Sequence, residues 1–156
     1  MQSAEDGPGG EPAASAFPVH RRFTTRWADN DVYGHLNNVV YYEFFDSAVN
    51  GWLIDATGVD IRDLPAIGVV AETSCRYLRQ ISFPGDVSVG LALARLGTSS
   101  VVYQLGVFAY DGSELDPRPR AVGRFVHVYV DALTRRPVPV PEPVRSALAA
   151  LEQGHQ

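Results

Sequence analysis

The chain has 156 residues, the size of one ordinary domain, and its 46% hydrophobic and 20% charged content allows a packed core and excludes wholesale disorder. No apolar run approaches the roughly 18–20 residues of a membrane-spanning helix, and the single cysteine, Cys75, excludes an intrachain disulfide or a cysteine-based zinc cluster, so a reducing, cytoplasmic setting is expected. The net charge is −5, but Glu5, Asp6 and Glu11 account for three of the acids, so residues 17–156 carry only −2 and no broad nucleic-acid-binding surface is expected.

Residues 1–16 are acidic and rich in Gly and Pro, without the basic and apolar regions of a secretory signal, and they read as a flexible tail ahead of a single domain, 17–156. The segment His20–Trp27 alternates as a first strand. A polar, turn-rich stretch follows, Ala28 to Asn37. From Asn38 the period changes: Tyr41, Phe44, Phe45, Ala48 and Trp52 recur at helical spacing, which predicts one amphipathic helix over about 38–54 with Asn37 or Asn38 as its N-cap. After Gly58 a helical turn is expected around Ile61–Leu64. Strand patterns then occupy 68–81, 86–96, 99–110 and 120–131, punctuated by Pro84-Gly85-Asp86, Gly97-Thr98-Ser99 and the Asp111–Arg120 loop.

One face of the second of these strands is small (Ser88, Gly90, Ala92, Ala94), which permits close approach of another element. Pro137, Pro139, Pro141 and Pro143 end the sheet, and 142–152 reads as a terminal helix. One long helix followed by a meander of strands predicts an α+β fold, a curved antiparallel sheet of about five strands wrapped around that helix. In the last strand Val122, Val126, Val128 and Val130 lie on one face, and Ala121, Phe125 and Tyr129 on the other. A single helix covers only one face, so a homodimer or homotetramer is expected.

Chemistry-bearing groups concentrate in Asp29, Asp31, His35, Asn37 and Asn38, in a loop that feeds a helix N-terminus. Free N–H groups there suit a carbonyl oxygen gaining negative charge, and an adjacent carboxylate can serve as nucleophile or general base. The same residues would also serve as a turn that merely caps the helix, and residue chemistry alone does not choose. The spacing Asp-x-Asp-x-x-Gly starts like a calcium loop, but Tyr33 stands at the fifth ligand position and Val40 where the bidentate Glu belongs, so no metal site is expected. Cys75 reads as buried and inert, and His127, inside an apolar strand, as a satisfied core histidine. All 13 basic residues are arginine, which excludes a Schiff-base or P-loop lysine.

The run Arg26-Trp27-Ala28-Asp29-Asn30-Asp31-Val32-Tyr33-Gly34-His35-Leu36-Asn37-Asn38, with Tyr41 three residues on, resembles the signature of the hot-dog acyl-CoA thioesterases of the 4-hydroxybenzoyl-CoA thioesterase type. The resemblance extends over residues 19–145, through Leu78–Asp86, Gly97–Val101 and Asp131–Pro137. It implies a hot-dog fold and hydrolysis of an acyl-CoA or acyl-carrier-protein thioester. By register it implies Asp31 as the catalytic carboxylate, three residues before Gly34, with Asn38 supplying the backbone N–H that polarises the carbonyl. Gly34, His35 and Asn37 are expected to bind the substrate, with His35 either a base or a loop-ordering residue, and Tyr41 would shape the acyl pocket. Coenzyme A phosphates call for arginines near strand ends and turns, which nominates Arg79, Arg95, Arg135 and Arg136, with Ser99 beside them. No metal or organic cofactor is implied, since coenzyme A enters as part of the substrate. Asp29 is the alternative carboxylate, with a local turn role as its competing explanation. The rival readings are a non-catalytic acyl-CoA binder and a hot-dog enoyl-CoA hydratase. The second is disfavoured because no Asn-Pro follows Asp31.

Overall fold

The computed structural model describes residues 10–152. Five long elements of sheet and two helices follow one another as β1 (Val19–Thr24), α1 (Asn38–Thr57), β2 (Ala66–Tyr77), β3 (Asp86–Leu96), β4 (Ser100–Asp111), β5 (Glu114–Leu115), β6 (Ala121–Asp131) and α2 (Glu142–Leu148), with β5 a two-residue addition. The strands are antiparallel in the order β1-β3-β4-β6-β2, and β5 pairs with β4 only. This is the α+β arrangement that the residue pattern and the resemblance imply, a sheet wrapped around α1. No helix among the described residues is long and apolar enough to cross a membrane.

α1 starts where expected, because the Asn37 side chain accepts the N–H of Val39, and it ends at Gly58, whose φ of 73° places it in the left-handed region open to glycine. It runs three residues beyond the expected end. Val40, Tyr41, Phe44, Phe45, Ala48, Val49, Trp52 and Leu53 are all buried, so the helix is enclosed over much more than one stripe. Phe45 lies directly on β6 at Gly123, where a Cβ would stand 2.4 Å from its ring. Only glycine lets the helix approach so closely.

The opposite face of the sheet is covered in part by the chain that precedes β1. Residues 1–9 of the expected tail lie outside the described residues. Residues 10–16 depart from the expectation of a flexible tail. The Ala14 N–H donates to the Pro117 carbonyl at 3.0 Å, and Ala16 and Phe17 join Ala92 and Phe108 in a small second apolar cluster. Phe17 fills the space above Gly90 and Gly106, where a Cβ would stand 2.7 and 2.9 Å from it. The small-residue face of β3 is therefore a seat for an aromatic ring. His20 fixes the segment from below: its Nε2 donates to the Ala14 carbonyl and its Nδ1 accepts from the Ser88 hydroxyl, each at 2.8 Å. Composition missed this docking because Phe17 is the one large apolar anchor and stands at the segment's end. On β6, Val122, Val126 and Val128 of the same outer face remain half-buried.

Candidate active site

The loop between β1 and α1 is built in two turns. In the first, Trp27–Asp29 forms a short 3-10 turn locked by Asp29, whose Oδ2 accepts the Arg26 N–H at 2.8 Å and whose Oδ1 accepts the Arg26 guanidinium at 3.0 and 2.7 Å. Asp29 is 2% exposed and fully engaged. In the second, the Asp31 N–H donates to the His35 carbonyl at 2.8 Å and the Gly34 N–H to the Asp31 carbonyl at 3.1 Å. Gly34 carries the turn with φ 84°. The segment after β2 holds this turn in place through three bonds: Leu36 N–H to the Ile81 carbonyl at 2.7 Å, Ser82 hydroxyl to the Gly34 carbonyl at 2.8 Å, and Phe83 N–H to Asn30 Oδ1 at 3.0 Å.

A cavity of about 630 Å³ opens between the second turn, the head of α1 and the residues that leave β2. Asp31, His35, Asn38, Tyr41 and Arg79 all line it, so most of the motif residues converge there. Gly34 and Asn37 do not line it. They set the turn and cap the helix instead. Asp31 Oδ1 accepts the N–H of Tyr33 at 2.9 Å and that of His35 at 3.4 Å, and Oδ2 has no partner among the described residues. At the head of α1 the Val39 N–H is held by the Asn37 side chain and the Val40 N–H by the Asn37 carbonyl, while the Asn38 N–H has no partner among the described residues. A carboxylate with a free oxygen and an unengaged N–H at the positive end of a helix dipole thus share one cavity.

Tyr41 and Tyr77 form the wall, their rings edge to face at 5.0 Å, and the Tyr77 hydroxyl donates to the Asn38 carbonyl at 3.0 Å. Burial pushes the Tyr41 phenol up to about 12, and burial also raises Tyr77, so both stay protonated at neutral pH and neither serves as a base. Leu36, Leu78 and Ile81 supply apolar surface. Tyr77 lies outside the motifs, and Gln80 and Ile81, inside the Leu78–Asp86 stretch, were not nominated, because they lie more than forty residues from Asp31 in sequence. The available signal was the alternation of Cys75 and Tyr77 on the face of β2 turned toward the core. Cys75 is half-buried, and burial raises its thiol to about 11, which leaves it unreactive at neutral pH.

The nominated arginines divide. Arg79 lines the cavity, but its guanidinium already donates to the Pro119 carbonyl at 2.7 Å and pairs with Glu11 at 3.0 Å. Arg95 is exposed on β3. Ser99, Arg135 and Arg136 sit at the other end of the sheet: the Ser99 carbonyl accepts from Tyr129, and the Arg136 carbonyl from Asp131. Tyr77 pairs with Ala121 and Ala66 with Asp131, so roughly 33 Å of strand separates these residues from the cavity within one chain. Among the described residues no group of three or more His, Cys, Asp or Glu side chains is placed to hold a metal ion.

Residues 25–148 match the family model of the thioesterase-like superfamily. Among solved structures, the PA5185 protein of Pseudomonas aeruginosa strain PAO1 is 46% identical, with a TM-score of 0.85 over 93% of this chain and 99% of that one. A thioesterase from Thermus thermophilus, complexed with coenzyme A and zinc, is 30% identical, with a TM-score of 0.72 over 87% of this chain and 95% of that one. A 1,4-dihydroxy-2-naphthoyl-CoA thioesterase from Synechocystis, 13% identical, shares the fold, with a TM-score of 0.72 over 83% of this chain and 94% of that one.

Proposed function

Since the chain belongs to the thioesterase-like superfamily, we propose that it hydrolyses an acyl-coenzyme A thioester to the free acid and thiol, with Asp31 as the attacking or proton-accepting carboxylate. The observation that carries this reading is the juxtaposition of the free Oδ2 of Asp31 and the unengaged N–H of Asn38 in the same cavity. The thioester carbonyl oxygen sits against the Asn38 N–H, where the helix dipole and the N–H stabilise the negative charge that develops on it. Asp31 either takes a proton from the attacking water or itself attacks the carbonyl carbon. In the second route the carbon–sulfur bond breaks, the thiolate leaves and takes up a proton, and water cleaves the resulting anhydride. Tyr41, Tyr77 and Leu36 receive the acyl group. The coenzyme A bound by the Thermus thermophilus relative supports coenzyme A as the carrier, with an acyl-carrier-protein thioester as the variant. The reading requires no metal.

The quaternary reading is a symmetric dimer. β2 leaves one edge of the sheet unpaired among the described residues, with Val70 exposed, and Val32, Tyr33 and Val39 are exposed beside the cavity. A panel of aromatic, short-chain and medium-chain acyl-CoA thioesters, read by free-thiol release, tests the activity. At least one should turn over with saturation kinetics. Release no faster than the uncatalysed rate across the panel, with free acyl-CoA still bound, would establish the non-catalytic binder instead. Sedimentation at micromolar concentration tests the dimer, and a fully active monomer would overturn it.

A further inference from the structure

Among the described residues, five of the 13 arginines have a guanidinium without a hydrogen-bond or ion-pair partner: Arg76, Arg95, Arg124, Arg135 and Arg136. Three of those five share one surface, the outer face of the sheet over β2, β6, β4 and β3. Arg124 of β6 stands opposite Ser74 of β2 on one side and Gln104 of β4 on the other, and Arg76 stands opposite Val122, one diagonal step from Arg124. Arg95 pairs in register with Val102 and so lies on the same face. A groove of about 320 Å³ runs between them, with Ser74, Arg76, Gln104 and Arg124 around it and Ala94, Val122 and Gly123 among its lining. The side chains of Ser74 and Gln104 make no hydrogen bond among the described residues, and Glu72, the nearby carboxylate of β2, ion-pairs with none of the three arginines.

Diagonal neighbours in a sheet lie about 7–8 Å apart, within reach of long side chains, so two guanidinium groups there can meet one anion. An unpaired Arg76–Arg124 diagonal flanked by two idle donors is therefore a surface short of an anion. Planar guanidinium forks match phosphate oxygens bidentately, and Ser74 and Gln104 add neutral donors. The groove is larger than a phosphate needs, and Ala94 and Val122 add apolar lining for a ring. We propose that this groove binds a phosphorylated nucleotide, with Arg76 and Arg124 clasping the phosphate and Arg95 at the rim. Two sources carry that chemistry. One is the nucleotide end of a coenzyme A thioester, which rests on the function proposed above. The other is a free nucleotide. The first has the groove and the cavity as neighbours: Arg76 borders the groove and the adjacent Tyr77 lines the cavity.

The test uses the full-length protein and its Arg76→Gln/Arg124→Gln double variant, with circular dichroism and melting as controls for folding. Adenosine 3′,5′-bisphosphate is titrated calorimetrically into each, and kcat/KM is compared for an acyl-CoA and the matching acyl-pantetheine, which lacks the nucleotide. The expected result is bisphosphate binding at least tenfold weaker in the variant, together with at least a tenfold loss of the preference for acyl-CoA over acyl-pantetheine. Weaker bisphosphate binding with that preference intact would assign the groove to a free nucleotide. Wild-type protein that binds no bisphosphate, or binds it no better than the variant, would overturn the site. Wild-type protein that binds bisphosphate through these arginines but hydrolyses no thioester would overturn the proposed function and leave the site standing.

Discussion

The loop from Arg26 to Asn38 contains two turns that treat the same side chain in opposite ways. In the first turn Asp29 is buried and both of its oxygens accept from Arg26. In the second, two residues on, Asp31 spends one oxygen on the N–H groups of its own turn and leaves the other free in a cavity. A buried carboxylate with both oxygens engaged can hold a turn but has no free oxygen to offer a water or a carbonyl, whereas one with a single oxygen engaged keeps its orientation and its reactivity together. The difference lies in the hydrogen bonds around each group, not in its residue type.

The sharpest way to break this contrast is isosteric substitution. Asp31→Asn keeps the acceptor for Tyr33 and His35 while removing the anion, so kcat should fall by roughly 10²–10⁴, the usual worth of one positioned acid–base group, with melting temperature nearly unchanged. Steady-state kinetics that show wild-type turnover for this variant would move the chemistry away from Asp31. Acid sharpens the contrast from a place remote from both aspartates. His127 is packed against the rings of Tyr103, Phe125 and Tyr129, but its Nδ1 is buried without a hydrogen-bond partner among the described residues, contrary to the satisfied histidine expected, and burial pushes its imidazole down to about 4. Above the unfolded value of about 6.5 both states hold it neutral. Between there and about 4 the unfolded chain takes the proton more readily, so stability should fall with falling pH by about 3 kcal/mol, levelling below that window. Urea titrations at several pH values read this slope, and His127→Phe should flatten it. A slope that survives the substitution would place the acid-sensitive group elsewhere. Rate profiles for Asp31 are best recorded above a pH of about 6.5, where this effect is absent.

Asp29→Asn should invert the first result. An amide turned toward the Arg26 donors leaves a buried group mismatched, at a cost of about 1–3 kcal/mol, while kcat/KM of the folded protein changes severalfold at most. Denaturant unfolding paired with kinetics separates the two, and a variant that is stable but inactive would reverse the assignment of the two aspartates. The smallest effect belongs to Gly34→Ala. A Cβ there meets nothing within 4 Å, so only the φ of 84° resists it, and the expected loss is about 1 kcal/mol in melting experiments.

The residues of the helix and strands were legible in sequence because their periods are local. The 3.6 and 2.0 repeats placed α1 and β2, β3, β4 and β6 within a few residues, and Asn37 marked the helix start. β5 escaped because two residues carry no period. The site was legible where it is contiguous, from Asp31 to Tyr41. On its opposite wall Arg79 was nominated, whereas Tyr77, Leu78, Gln80 and Ile81 were not. Arg135, Arg136 and Ser99 suited a phosphate by residue type and turn position, but strand length carries them to the far end of the sheet.

By itself, then, the sequence determined the element order, the position of the long helix and the loop in which carboxylate and helix N-terminus meet, because each depends on neighbours within about ten residues. Tertiary structure alone decided which strand end closes the cavity, and that residues 10–17 lie on the sheet. It alone also set Arg76 and Arg124 on one face with no partner among the described residues. Those outcomes depend on strand register and on how side chains from distant segments satisfy one another, which no local pattern encodes.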